Sequence, residues 1–273
     1  MNELNPTAIR LEHVSLRLGG RPILDDLSLE IPAGKVTAVM GPSGAGKTTV
    51  MRLITGQLKP DTGAVWLGEH RVDSLKSQAL NKLRKNIGVL LQNGALFTDL
   101  TAFDNVALPL REHSGLPEAL IRRIVLLKLQ TVGLRGAAEL YPRELSGGMN
   151  RRIAMARAMA LDPDLMLYDE PFAGLDPISL GVSLRLIREV NQALGTTSVV
   201  ITHDVGEVAK FADLVCIIAD HKLVASGAPE QLGQSDHPLV RQFVDGLPDG
   251  PVPFHYPAPS LAADLLLGEE NAQ

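Results

Sequence analysis

Nine residues constrain this chain more than any others. The run Lys35 to Met40, KVTAVM, is compact and mostly apolar and reads as a buried strand. GPSGAGKTT follows at Gly41–Thr49, and a helical pattern runs from Lys47 to about Gln57. Gly41, Gly46, Lys47 and Thr48 satisfy G-x-x-x-x-G-K-[ST] in the strand–loop–helix setting the pattern needs. The glycines let the loop Gly41, Pro42, Ser43, Gly44, Ala45 and Gly46 wrap phosphate oxygens, with the backbone N–H groups of all but Pro42 available to point inward as a nest. Lys47 then neutralises β- and γ-phosphates, Thr48 offers its hydroxyl to Mg²⁺, and Thr49 completes the phosphate-binding stretch.

Such a loop needs an acid on a neighbouring strand. DLMLYDEP supplies two: Asp169 closes the apolar run on the metal side, and Glu170 stands next as the group that polarises an attacking water. TSVVITHD carries His203 to the end of another apolar strand, where open α/β sheets face their ligands. Gln92 ends the run IGVLLQ and is a candidate for holding water or metal. A second nest is expected at LSGGMNRRIAMARAMAL, Leu145–Leu161. There Ser146 is an N-cap type, Gly147 and Gly148 expose backbone, and Ile153, Ala156 and Ala160 keep one apolar helical face. One chain with two anion sites poses the question that the rest must answer.

Strands alternate with helices over much of the chain, which argues an α/β fold with a mostly parallel sheet. The N-terminal part is β-rich, with strands at Ile9–Leu18 and Ile23–Ile31 around a Gly19-Gly20 turn, and another around Trp66. From about 97 to 160 helical patterns dominate, as in an inserted subdomain. Gly246–Pro259 holds five prolines and reads as extended chain. It is either a solvated linker or an arm that docks Phe254 and Tyr256 on a partner.

Bulk properties exclude several classes. A net charge of −5 does not suggest a nucleic-acid surface. Cys216 is the one cysteine, a core thiol in LVCIIAD, so no internal disulfide is possible. The N-terminus has no signal-peptide pattern, and no apolar stretch approaches the roughly 20 residues that span a bilayer.

The ordered set resembles the nucleotide-binding subunit of ABC transporters, a P-loop NTPase class. The P-loop lies at Gly41–Thr48, the Q-loop at Gln92, the signature at LSGGM, Walker B at Leu165–Glu170, the D-loop ends at Asp176, and the H-loop is His203. The resemblance implies an ABC domain over 1–245, with 97–160 as its helical subdomain and 246–273 as a C-terminal arm. It implies ATP and Mg²⁺, with Thr48, Gln92 and Asp169 on the metal, and Glu170, His203 and Gln92 as the catalytic groups. It also implies a homodimer in which Ser146, Gly147 and Gly148 of one copy close over ATP held by the other. Three residues depart from the usual pattern: Met149 for glutamine, Phe172 for threonine or serine, and Leu18 where an adenine-stacking aromatic is common.

NGALFTDLTAFDNVALPLREH, ELSGGMNRR and DGPVPFHYPA further resemble the ATPases of Mla-type phospholipid transport systems of Gram-negative bacteria. That implies phospholipid movement between inner and outer membranes, powered from the cytoplasmic face of the inner membrane. The implied partners are an integral permease (MlaE-like), a small STAS-domain regulator (MlaB-like) and a periplasmic MCE lipid-binding ring (MlaD-like), with no nucleic acid. The alternatives are the same engine on a small-molecule importer, or a soluble ABC protein.

Overall fold

The computed structural model describes residues 7–208 and 210–252, together with Ala258, Ser260, Leu261 and Leu265. The chain opens with β1 (Thr7–Leu18), β2 (Arg21–Pro32), β3 (Val36–Met40), α1 (Lys47–Ile54), β4 (Thr62–Leu67), β5 (His70–Arg71), α2 (Ser77–Arg84) and β6 (Ile87–Leu90). Three helices follow, α3 (Ala102–His113), α4 (Glu118–Thr131) and α5 (Gly147–Ala158). Then come β7 (Leu165–Asp169), α6 (Pro177–Leu194), β8 (Thr197–Ile201), α7 (Val205–Val208), β9 (Leu214–Ala219), β10 (Lys222–Gly227), α8 (Pro229–Leu232) and α9 (Pro238–Asp245).

The first two strands carry a visible flaw in their alternation. Buried positions fall at Ile9, Leu11, Val14 and Leu16 in β1, and at Leu24, Leu27, Leu29 and Ile31 in β2. Each series slips one place, and an unbroken strand would turn half of its apolar residues to solvent. A bulge absorbs the slip. The register shifts between Leu11 and Val14, where His13 and Asp26 take φ of 49° and 55°. His13 Nδ1 lies 2.8 Å from Asp26 Oδ1 across it. These strands join β4 and β5 in an antiparallel sheet ordered β2-β1-β4-β5.

The second sheet runs β10-β9-β3-β8-β7-β6. All its pairs are parallel except β10 with β9. Both faces are covered, as parallel sheets require. Ala38, Met166, Tyr168 and Val200 face a core shared with α3, α4, α5 and α6. Val39, Leu165, Leu167 and Ile201 face α1 and the antiparallel sheet. Cys216 is fully buried on that second side, as its apolar setting implies.

Helix ends follow local chemistry. Thr101 caps α3 by accepting from the Asp104 N–H at 3.0 Å, and Asp176 caps α6 by accepting from Ile178 and Ser179. α1 stops at Ile54, short of the expected Gln57, because the N–H groups of Gln57 and Leu58 both turn back to the Arg52 carbonyl. Buried Asn105 organises the loop before α3: its amide nitrogen donates to the carbonyls of Phe97, Leu100 and Thr101, and its oxygen accepts from the Phe97 N–H. Beyond α9, the buried Gln242 side chain pairs with both the N–H and the carbonyl of Val252, at 2.8 and 2.9 Å. Phe254 and Tyr256 lie outside the described residues.

Candidate active site

Three neighbouring strands, β3, β8 and β7, end on one edge, and each hands the chain to a residue singled out above. β3 delivers the glycine-rich loop, β7 delivers Asp169 and Glu170, and β8 delivers His203. Gly41 has to be glycine: a Cβ there would lie 1.9 Å from the Ile218 carbonyl oxygen. Gly46 caps α1 at φ 95°, and a Cβ would meet Leu24 and the Ile23 carbonyl at 2.9 and 3.1 Å. The loop is drawn around Lys47, whose Nζ donates to the carbonyls of Gly41 and Pro42 at 2.8 and 3.0 Å. Burial pushes the Lys47 ammonium below its usual range, against the pull of Glu170 and Asp169. The Lys47 ammonium thus sits on two carbonyls and feels the charge of two nearby acids.

Thr48 Oγ1 lies 3.5 Å from Asp169 Oδ1. Burial, then the adjacent Glu170 charge, holds the Asp169 carboxyl above the ordinary range, while Thr48, Arg52 and Lys47 pull the other way. The Glu170 backbone takes φ 46°, unusual for a residue with a side chain, and its N–H is anchored to the Ile201 carbonyl at 2.8 Å. Its Oε2 lies 2.9 Å from His203 Nδ1. Glu170 is mostly covered and His203 mostly exposed, so the pair spans from the interior to the surface. Ser43, Gly44, Gly46, Lys47, Thr48, Thr49, Gln92, Asp169, Glu170 and His203 line one groove of about 420 Å³.

Ser146, Gly147, Gly148 and Asp176 are not among the residues lining that groove. Ser146 does cap α5, accepting from the Met149 N–H at 3.2 Å, and Ser146 and Gly147 are exposed. The capped helix start that a second nest needs is therefore built, and it stands apart from the groove. Leu18 lies outside the groove and is exposed; Ile23 lines it instead. Phe172 has a packing reason to be aromatic, since its ring meets Phe211 edge-on at 5.5 Å. A second hollow of about 490 Å³ opens between the segment after Gln92 and α3, with Leu91 and Phe97 exposed on it.

The family model for ABC transporters matches residues 24–173. The chain belongs to the ABC transporter family. It is thus an ABC-type ATPase that binds ATP, from a family whose cassettes form dimers and work with membrane permeases. It is 54% identical to the intermembrane phospholipid transport system ATP-binding protein MlaF of Escherichia coli K12, over 95% of this chain and 97% of that one. The protein of the same description from Haemophilus influenzae is 53% identical over 96% and 99%. Among solved structures, the dimeric post-hydrolysis ABC cassette MJ0796 bound to ADP and Pi matches with a TM-score of 0.74 and 30% identity, over 81% and 98% of the two chains.

Sequence reasoning missed Ile23, Arg151 and Arg157. The arginines lie on α5 and send their guanidinium groups to main-chain carbonyls of neighbouring loops. Arg157 donates to Gly94 and Ala95, each at 2.8 Å, and sits over the Phe97 ring at 5.8 Å. For Arg157 the available signal was a charge embedded in the alanine-rich run IAMARAMA.

Proposed function

We propose that this ABC ATPase powers phospholipid movement between the inner and outer membranes of a Gram-negative bacterium, acting as a homodimer on the cytoplasmic face of the inner membrane. The observation that carries the cargo is the 54% identity to a phospholipid-transport ATPase across 95% of the chain. Among the described residues no helix is long and apolar enough to cross a membrane. The 490 Å³ hollow, with Leu91 and Phe97 at its rim, is the seat for an MlaE-like permease. An MlaB-like STAS protein and an MlaD-like MCE ring complete the assembly. In this reading the arm, 246–273, docks on the other ATPase copy; its first residues are tied back to α9 by the Gln242–Val252 pair.

The chemistry is hydrolysis of the terminal phosphoanhydride. Lys47 and the Gly41–Thr49 backbone hold the phosphates. Glu170 accepts the proton as water attacks the γ-phosphorus and the bond to the bridging oxygen breaks, with His203 orienting Glu170. Thr48, Asp169 and Gln92 suit Mg²⁺, an ion that takes hard oxygen ligands and few protein carboxylates. Bound there, it would offset phosphate charge. Ser146, Gly147 and Gly148 of one copy meet the γ-phosphate held by the other, which is why one chain carries two nests.

The test is extraction of the tagged protein from its membrane in mild detergent and identification of what accompanies it. A permease, an MCE-domain protein and bound phospholipid are expected. A permease with a different bound cargo would keep the engine and overturn the phospholipid reading.

A further inference from the structure

Two segments of the proposed reaction centre meet one side chain that no motif assigns. Arg151 sits on α5, one turn after the Ser146 cap. Its Nη1 donates to the carbonyls of Pro171 and Ala173, at 3.1 and 2.7 Å, and its Nη2 donates to the carbonyl of Gln92 at 2.8 Å. Pro171 follows Glu170 directly, and Ala173 lies in the turn that leads to Asp176. The guanidinium thus grips the backbone beside the general base and the backbone of the metal-side glutamine, and it does so from the helix whose first turn is the second nest.

Contacts around it are close enough to transmit a shift. A Cβ on Gly148 would fall 2.8 Å from Ser179 Oγ, on the helix that Asp176 caps, and one on Gly94 would meet Ala154 at 3.3 Å. α5 therefore abuts both the segment after Asp176 and the segment after Gln92 without slack. The grip is on main-chain oxygens, so it fixes the positions of Gln92 and Glu170 whatever their side chains do. Arginine's planar fork presents several N–H groups in fixed directions, and a single lysine ammonium does not reproduce that spread.

We propose that Arg151 is the positioning residue that holds Glu170 and Gln92 in register with the Ser146–Gly148 nest, so that the catalytic groups of one site move with the signature that serves the other. The inference rests on the roles proposed above for Glu170 and for the signature.

The experiment is steady-state ATP hydrolysis by the full complex, comparing wild type with Arg151→Met, Arg151→Lys, Arg152→Met and Glu170→Gln. Arg152 is the control: it lies next on the same helix, and its Nη1 donates to the Val132 carbonyl at 3.1 Å, away from the site. Arg151→Met is expected to lower kcat about tenfold or more while KM for ATP changes less than about threefold, because phosphate binding is left intact. Arg151→Lys should recover only part of the loss, and Arg152→Met should stay within about twofold of wild type. Equal losses in Arg151→Met and Arg152→Met would reduce the effect to helix stability and overturn the inference. So would a normal kcat in Arg151→Met when Glu170→Gln is inactive. Normal turnover by Glu170→Gln would instead remove the reading of the site, and the inference with it.

Discussion

The glycine-rich loop and the α5 region both surround the reaction centre, and they are held in opposite ways. The loop is closed from within six residues: Lys47 folds back on the carbonyls of Gly41 and Pro42, and Gly41 sits where no side chain fits. The α5 side is held from afar. Arg151 reaches the loops after β6 and β7, and Arg157 reaches Gly94 and Ala95 some 62 residues upstream. A local cradle keeps its shape when its surroundings move. Loops tied by guanidinium groups follow the helix that carries the arginines. In the proposed reaction that difference would let a rigid phosphate grip be coupled to a moving partner.

Substitutions on the two sides should therefore fail differently. Glu170→Gln stands where the two regions meet and has the largest expected effect: turnover falls about 10²–10⁴-fold with ATP still bound, read from steady-state rates and equilibrium nucleotide binding. On the rigid side, Gly41→Ala forces a methyl into the Ile218 carbonyl and should cost about 3 kcal/mol of stability, with ATP binding lost, seen in denaturant melts and nucleotide titration. On the tethered side, Arg157→Met removes two charge-assisted bonds to carbonyls. It should cost about 2 kcal/mol in the same melts, yet leave the affinity of the isolated subunit for ATP near wild type. In the isolated subunit Ser146→Ala loses the cap of α5 and should cost about 1 kcal/mol in the same melts. If Arg157→Met abolished ATP binding as Gly41→Ala does, the contrast between the two regions would collapse.

The same contrast explains what could be read in the sequence. Gly41–Thr49, the strand ending in Asp169 and Glu170, the cap at Ser146 and the apolar face of α5 depend on neighbours in the chain, so residue types and spacing expose them. The slip from Leu11 to Val14 is also written in the pattern, although its cure, a bulge with His13 against Asp26, is not. Long-range choices are invisible in the same way. Phe172 needs Phe211 to explain it, Ile23 rather than Leu18 reaches the groove, and Arg151 and Arg157 find partners only once the loops fold onto α5. The proximity of Glu170 to His203 arises because their strands are neighbours in the sheet, an order that periodicity does not specify.

In the proposed dimer the two nests of one chain serve two different nucleotides, each shared with the other copy. Counting occluded ATP in mixed dimers distinguishes this from any arrangement within one chain. Both copies carry Glu170→Gln to stop turnover; one also carries Lys47→Ala and the other Gly147→Asp. Gly147 is suited to the second change because a Cβ there meets nothing within 4 Å in its own chain, so the new charge acts on what docks against it. A dimer of either double variant alone should retain no ATP. The mixed dimer should retain one, because one site then unites an intact Lys47 with an intact signature from the opposite copy. No retained ATP in the mixed dimer, alongside two in the Glu170→Gln dimer, would place both nests of a chain on the same nucleotide and contradict the account.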